Sequence, residues 1–238
     1  MSLRCGRLIA TGVATLAVAA PAVAVTGGSL DGTAHPAVAL VLEDVGSGLQ
    51  PNCSAALVSP TVLVTAAHCV EGAVSNRVGV SFAPQYTAGA PLAAGTLYAD
   101  PAWSPAAQDT HDVAVVVLDS PVSIQPLALP TAGSLDKASL KGVDFVNVGY
   151  GYFDRTFTFD GYRRASTSSF TSLKPTELKL SQAGGGVCFG DSGGPRLLGS
   201  TVAAVTSTGN RNCTGQSTSY RLDTPSARAF LAQYVALP

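Results

Sequence analysis

The chain has 238 residues, of which 46% are hydrophobic and only 12% are charged. This composition is sufficient for a packed core and excludes a disordered chain. The formal net charge is −1, so the sequence predicts no basic surface and no nucleic-acid partner.

The first residues have the order of features that an export signal requires. Arg4 and Arg7 precede an apolar run at 8–20, and small residues suited to cleavage follow, ending at Ala24. A buried N-terminal helix is the alternative, but the order of charge, apolar run and cleavage site favours the signal. We therefore predict a signal peptide over residues 1–24 and a secreted, extracellular protein. No later apolar run is long enough to predict a membrane span.

Four of the five cysteines follow this segment, an even number that is typical of disulfides in an exported chain. They are Cys53, Cys69, Cys188 and Cys213. Four cysteines allow three pairings, and their spacing alone does not choose among them. No Cys-x-x-Cys spacing occurs and the chain has only three histidines, so no metal site is predicted.

Short apolar runs rich in Val, Ala and Leu recur between glycines and prolines. The clearest are 37–42, 55–58, 62–65, 78–82, 113–118, 145–148 and 202–206. Many short strands with little helical periodicity predict a β-barrel or β-sandwich. A stretch without periodicity at 127–141 could join two β units. One helix is predicted at the C-terminus, where Thr224 can cap it and Pro225 takes a favoured first position.

A glycine-rich segment around Ser192 has the features of a nucleophile. Glycines after the serine allow a sharp turn and a close approach of substrate. The N–H groups of Gly190 and Ser192 can converge on one point, as an oxyanion requires. A plain glycine-rich turn is the alternative. The segment also matches the nucleophile elbow of α/β-hydrolases, but that fold needs a histidine downstream, and none follows Ser192.

A serine hydroxyl needs an adjacent base to become a good nucleophile. His68 lies just after the end of the predicted strand 62–65 and precedes a cysteine that could fix its loop. His35 reads as a surface residue. His111 directly precedes Asp112, and neighbouring strand residues point to opposite faces, so these two are not expected to share a site.

Asp112 opens an almost wholly apolar strand, where a carboxylate is costly to bury unless it has a partner. Asp109 and Asp119 lie in more polar sequence and are the alternatives. This contrast favours Asp112 as the partner of His68.

Three blocks of the sequence, taken in order, resemble the signature blocks of the trypsin-like (chymotrypsin-fold) serine peptidase family. The blocks are Thr65-Ala66-Ala67-His68-Cys69, His111-Asp112-Val113-Ala114 and Gly190-Asp191-Ser192-Gly193-Gly194-Pro195. Two further segments, 148–151 and 206–209, are similar to the family's Gly-aromatic-Gly block and to its substrate-pairing strand. The resemblance extends from Val25 to the C-terminus and fits a small secreted member of microbial type.

The resemblance implies an all-β fold of two packed six-stranded antiparallel β-barrels with a C-terminal α-helix. The peptidase domain is expected at 25–238, with the first barrel at about 25–130, the second at about 140–224 and the helix at about 225–237. It also implies a serine endopeptidase without a cofactor that acts on proteins or peptides as a monomer. Protein inhibitors are a further candidate class of partner.

The family's roles transfer to matching positions of this sequence. Ser192 becomes the nucleophile, His68 the base and Asp112 the acid that orients it, while the N–H groups of Gly190 and Ser192 form the oxyanion hole. The implied disulfides are Cys53–Cys69 and Cys188–Cys213.

The resemblance also implies an activation pair. The segment that begins at Val25 resembles the family's mature N-terminus, whose α-amino group pairs with the aspartate before the nucleophile, here Asp191. Cleavage after Ala24 would create that amino group directly. A pro-segment removed elsewhere is the alternative.

The implied substrate pocket contains Gly186, Phe189, Ser207, Gly209 and Thr218. Gly186 stands where trypsin has an acid, so cleavage after uncharged residues is expected rather than cleavage after Arg or Lys. The sequence departs from the family at Ser54 and Ala55, where glycines are usual.

Overall fold

The computed structural model describes residue 25 and residues 28–152, 158–183 and 185–238. The predicted signal peptide, 1–24, lies outside the described residues. Two closed six-stranded antiparallel β-barrels make up the molecule, as the resemblance implied, and the predicted fold class is confirmed. Within the described residues, no helix has both the length and the apolar character to cross a membrane.

The first barrel closes in the order β2-β3-β4-β7-β6-β5. Its strands are β2 (Val38–Asp44), β3 (Leu49–Ser59), β4 (Val62–Thr65), β5 (Arg77–Ser81), β6 (Ala93–Ala99) and β7 (Ala114–Leu118). A 3-10 helix, Ala67–Val70, follows β4.

The second barrel is built from six later strands, with β8 and β9 closing it. They are β8 (Asp144–Gly149), β9 (Arg164–Leu173), β10 (Glu177–Ser181), β11 (Pro195–Leu198), β12 (Thr201–Gly209) and β13 (Gln216–Arg221). A short helix, α1 (Ser134–Lys137), lies in the connection between the barrels.

The N-terminal residues do not join the first barrel, contrary to the expected boundary at residue 25. Strand β1 (Ser29–Leu30) pairs with β9 of the second barrel, Ser29 opposite Ala165. The backbone N–H of Asp31 continues the pairing by donating to the carbonyl of Arg163 at 3.0 Å. The N-terminal segment thus crosses to the second barrel, which carries the glycine-rich turn around Ser192 (the serine turn, 190–194).

Strands β4 and β7 lie between the two barrels and are buried on both faces. Strand residues alternate between faces, so each strand contributes to two hydrophobic clusters. Val62, Val64 and Val115 belong to the cluster shared with the second barrel and with the C-terminal helix, whereas Leu63, Ala114 and Val116 fill the first barrel. The double burial explains why these strands read as continuous apolar runs.

The C-terminal helix, α2, spans Pro225–Leu231 and is shorter than the expected 225–237. The Thr224 hydroxyl accepts a hydrogen bond from Ala227 N at 3.3 Å, which caps the helix as predicted. Phe230 and Leu231 are buried in the cluster between the barrels. After Leu231 the backbone continues as turns rather than as helix, and Tyr234, Val235 and Leu237 still pack against the same cluster.

Candidate active site

His68 lies in the 3-10 helix that follows β4, at the edge of the first barrel. The next residue, Cys69, forms a disulfide with Cys53 of β3, so the histidine loop is tied to the barrel wall. A second disulfide joins Cys188 to Cys213 beside the serine turn. Both pairings are those that the resemblance implied.

Asp112 approaches His68 from the loop before β7. His68 Nδ1 lies 2.9 Å from Asp112 Oδ2, and the backbone N–H of His68 donates to Oδ1 at 3.0 Å. The side chain of Asp112 is fully buried. Burial alone would raise the pKa of Asp112, but the hydrogen bonds and charge of His68 and the Ser207 hydroxyl outweigh it, so the pKa lies below its ordinary value.

The hydrogen bond to Asp112 fixes the tautomer of His68. A carboxylate only accepts hydrogen bonds, so Nδ1 must carry the hydrogen and Nε2 keeps a free lone pair. The Ser207 hydroxyl donates to the same carboxylate from β12 of the second barrel. The ring of Trp103 packs near the imidazole, with centroids 6.2 Å apart.

The turn that carries Ser192 depends on two glycines with positive φ, Gly190 at 89° and Gly193 at 73°. A Cβ atom at Gly193 would collide with the Thr65 hydroxyl and would lie 2.6 Å from the Ser54 carbonyl oxygen. Only glycine therefore fits against the first barrel at this point. Within the part of the chain that the structure describes, no protein acceptor hydrogen-bonds to the N–H of Gly190 or Ser192.

A cleft of about 730 Å³ lies between the barrels, and both His68 and Ser192 line it. Among the described residues, no hydrogen bond joins Ser192 Oγ to the imidazole. Such catalytic hydrogen bonds are often long until substrate binds. The cleft therefore brings the serine and the histidine–aspartate pair to one place.

The expected pocket residues divide into two groups. Phe189, Ser207 and Gly209 line the cleft, whereas Gly186 and Thr218 are not among its lining residues. Gly186 is buried against Gln182, and a Cβ atom there would lie 2.5 Å from the Gln182 amide oxygen. An uncharged amide thus packs against the position at which trypsin has its acid.

Asp191 is fully enclosed behind the serine turn. Its carboxylate accepts hydrogen bonds from the backbone N–H groups of Gly151 and Cys188 at 2.8 and 2.9 Å. Burial raises the pKa of Asp191 to about 6, and these bonds and the charge of Arg196 offset it only in part. No salt bridge to Asp191 forms among the described residues. Val25, its expected partner, is buried.

The alternative histidines and acids have other partners. His35 pairs with Asp31, and His111 Nδ1 lies 3.0 Å from Asp100. Asp119 pairs with Arg77 on the surface. None of them lines the cleft.

The sequence reasoning missed several polar contacts around the site. Ser54 bonds to the serine turn, Ser207 bonds to Asp112, and the Thr65 hydroxyl donates to the Ser54 carbonyl at 2.8 Å. Glu43 is buried beneath the histidine loop, where Asn52 donates to it at 2.7 Å and to the Cys69 carbonyl at 3.1 Å. Polar residues inside otherwise apolar strands were the signal that such side chains could be buried, but this signal does not identify their partners.

Two β-barrels with a histidine–aspartate pair and a serine turn in the cleft between them define the chymotrypsin-like class of protein. A protein-family model described as Trypsin matches residues 29–231, so the chain belongs to the trypsin family. A chymotrypsin from Phaedon cochleariae is 28% identical over 178 residues. The match covers 68% of this chain and 64% of that protein, so this chain spans just under two thirds of the relative's length.

Solved structures with the same fold include human heparin binding protein. It superimposes with a TM-score of 0.70 at 18% identity, covering 88% of this chain and 95% of that chain. HL collagenase gives a TM-score of 0.69 at 20% identity, covering 87% of this chain and 95% of that chain. At these identities the two structures establish a shared fold.

Proposed function

We propose that this protein is a secreted serine endopeptidase that cleaves peptide bonds through an acyl-enzyme. The observation that carries the proposal is the buried Asp112 carboxylate, which accepts from His68 Nδ1 in the cleft that Ser192 also lines. Export of the chain is supported by its two disulfides, which form in oxidising compartments.

The first half of the reaction uses the tautomer that Asp112 selects. Ser192 Oγ attacks the substrate carbonyl carbon while His68 Nε2 takes the hydroxyl proton. Asp112 stabilises the imidazolium that forms. The N–H groups of Gly190 and Ser192 then donate to the oxyanion, a contribution of about 2.7–4 kcal/mol for such a donor.

The second half returns the enzyme to its starting state. His68 gives its proton to the leaving amine, and the peptide bond breaks to leave an ester on Ser192. Water then attacks the ester with His68 as base, and Ser192 regains its proton as the acid product departs. No step of this reaction uses a cofactor.

A preference for uncharged residues before the cleaved bond is supported by the residues around the pocket. Among the described lining residues of the cleft, Glu71 is the one acid, and it belongs to the histidine loop. Gln182, which packs against Gly186, carries no charge. A buried Arg or Lys side chain without a counterion would be strongly disfavoured. We expect protein and peptide substrates and a monomeric enzyme.

A binding protein without catalytic activity is the main alternative, since one structural neighbour is named as a heparin binding protein. The formal net charge of −1 does not favour a polyanionic ligand. All three residues of the proposed triad are also present.

Labelling with a fluorophosphonate tests the nucleophile directly. We expect the secreted protein to react stoichiometrically, Ser192→Ala not to react, and Ser207→Ala to retain labelling at a reduced rate. A folded wild-type protein that neither reacts nor cleaves a denatured protein substrate would contradict the proposed function. Sequencing the products of one unstructured substrate tests specificity, and cleavage chiefly after Arg or Lys would contradict the proposed preference.

A further inference from the structure

Ser54 is a fully buried serine in the middle of β3, directly after the disulfide-bonded Cys53. It belongs to the first barrel but faces the serine turn of the second. Its backbone N–H donates to the carbonyl of Ser192 at 2.8 Å. A residue of the first barrel therefore holds the carbonyl of Ser192.

The side chain of Ser54 makes two further hydrogen bonds, and their directions are fixed. The backbone N–H of Tyr150 can only donate, so Ser54 Oγ accepts from it at 2.9 Å. The hydroxyl has one hydrogen, which is then free to point to the Gly190 carbonyl, also at 2.9 Å. The hydroxyl thus bridges Tyr150 to Gly190.

Gly190 is the residue whose orientation most needs such support. It has a φ of 89° and no side chain, so steric contacts restrict its backbone less than that of any other residue type. The Gly190 carbonyl accepts a hydrogen bond from Ser54. The Gly190 N–H has no protein acceptor among the described residues, and Gly190 lines the cleft. The peptide unit that carries the Gly190 N–H is held at the Phe189 carbonyl, which accepts from the Tyr152 N–H at 2.8 Å. The Ser54 bond holds the next peptide unit, so together the two bonds restrict rotation about the φ and ψ angles of Gly190.

We propose that Ser54 is a positioning residue for the oxyanion hole, and that its hydroxyl orients the Gly190 N–H toward the substrate oxygen. This inference rests on the function proposed above. Ser54 is fully buried and does not line the cleft, so it acts through Gly190. A serine inside β3 is thereby given a role in stabilising charge in the transition state.

Kinetics of Ser54→Ala provide the first test. Removing an oxyanion donor outright lowers kcat by about 10²–10³-fold. Ser54→Ala leaves the Gly190 N–H in place but less well oriented, so we expect a smaller loss in kcat of about 10- to 100-fold. We expect KM to change less than threefold, because the donor acts mainly on the transition state. Rates are divided by the concentration of sites labelled to completion with fluorophosphonate, so loss of folded protein does not enter.

Two inhibitors separate the oxyanion hole from the rest of the cleft. A peptide aldehyde forms a tetrahedral adduct with an oxyanion, whereas the same peptide with a reduced CH₂–NH bond has no such oxygen. We expect Ser54→Ala to weaken the aldehyde by the same factor as kcat and to leave the reduced peptide within twofold of wild type. Equal losses for both inhibitors, or no loss for either, would overturn the proposal.

Ser166→Ala is the matched control, because Ser166 is also buried and accepts a hydrogen bond, from Asn147 at 2.9 Å, inside the second barrel. It should lose stability without changing the aldehyde affinity. Ser54→Gly, which keeps the backbone hydrogen bonds, serves as a second variant if Ser54→Ala does not fold, and it should behave in the same way. A wild-type protein that fails to react with fluorophosphonate refutes the proposed function itself. A reactive wild type with an unaffected Ser54→Ala refutes only the role of Ser54.

Discussion

At the scale of single residues, Asp112 determines which nitrogen of His68 is basic. It accepts from His68 Nδ1, from the His68 backbone and from Ser207, and it is fully buried. An asparagine of the same shape can present an N–H to Nδ1, which would move the imidazole hydrogen to Nε2 and remove the base.

We therefore expect Asp112→Asn to fold and to lose about 10⁴-fold in kcat, the size known for this change in trypsin-family triads. The measurement is kcat on a peptide substrate, with KM followed in the same assay. Asp119→Asn, which removes an exposed acid paired with Arg77, should retain wild-type kcat. A folded Asp112→Asn protein with more than a tenth of wild-type activity would exclude Asp112 from the triad.

Glu43 is a second buried acid, beneath the histidine loop. Burial raises the pKa of Glu43 from 4.5 to about 7, and the Asn52 hydrogen bond and the charge of His68 offset it only in part. Its Oε1 atom has no hydrogen-bond partner in the described structure. The folded state therefore binds the carboxyl proton of Glu43 more tightly than the unfolded state does. The stability that this protonation gives is complete below pH 4.5 and is lost as pH rises through about 7.

Glu43→Gln should remove that pH dependence. Relative to wild type, its free energy of unfolding should rise by about 3 kcal/mol between the two pKa values. Urea unfolding at a series of pH values measures the difference. Glu71→Gln, an exposed carboxyl in the same loop, should follow the wild-type curve. Parallel curves for wild type and Glu43→Gln would contradict the prediction.

At the scale of elements, one buried ion pair fastens β1 to both barrels. Arg163 Nε donates to Asp31 at 2.8 Å, and the other guanidinium nitrogens reach the carbonyls of Gly32, Val38 and Phe82. Both side chains of the pair are almost completely buried. The N-terminal segment is thus held by this ion pair together with the backbone pairing of β1 with β9.

Breaking such a pair by removing one partner should be costly, because the other charge stays buried. We expect Asp31→Asn to lose about 3–5 kcal/mol of unfolding free energy. Asp119→Asn breaks an Arg–Asp pair of the same chemistry at an exposed position and should lose less than about 1 kcal/mol. Chemical denaturation of both variants gives the comparison, and equal losses would show that the buried pair has no special role.

Element by element, the sequence predicted the apolar strands better than the polar ones. β4 and β7 were recognisable because both of their faces are apolar. β9 and β13 were not, because their inward-facing serines hydrogen-bond to buried polar side chains instead of packing in an apolar core. Asn147 bonds to Ser166 and Ser168, and Arg196 bonds to Ser217 and Ser219.

The same distinction applies to the site. Local motifs in the sequence were enough to predict His68, Asp112 and Ser192 as the triad. The hydrogen bond from Ser207 to Asp112 joins residues 95 positions apart, and that from Ser54 to Gly190 joins residues 136 positions apart. Such contacts depend on how the two barrels dock, and no local pattern encodes them.

At the scale of the whole molecule, we expect Asp191 to link the N-terminus to the turn that carries Ser192 once the chain begins at Val25. Its pKa is raised to about 6 by burial while Val25 is part of a continuous chain. The stability that protonated Asp191 gives the fold is therefore complete below the ordinary pKa of 3.8 and is lost as pH climbs through about 6. A free α-amino group at Val25 would reverse this effect by pairing with the carboxylate.

Two forms of the protein should therefore respond differently to pH. A form that retains residues before Val25 should lose about 3 kcal/mol of unfolding free energy between pH 4 and pH 7 relative to a form that begins at Val25. The advantage of the second form should fade again as pH climbs from the ordinary α-amino pKa of about 7.7–8.0 through the raised pKa of the paired amino group. Asp191→Asn should abolish the difference between the two forms. Identical pH profiles for both would mean that Asp191 has no partner at the N-terminus, and among the described residues its carboxylate would then keep the N–H groups of Gly151 and Cys188 as its donors.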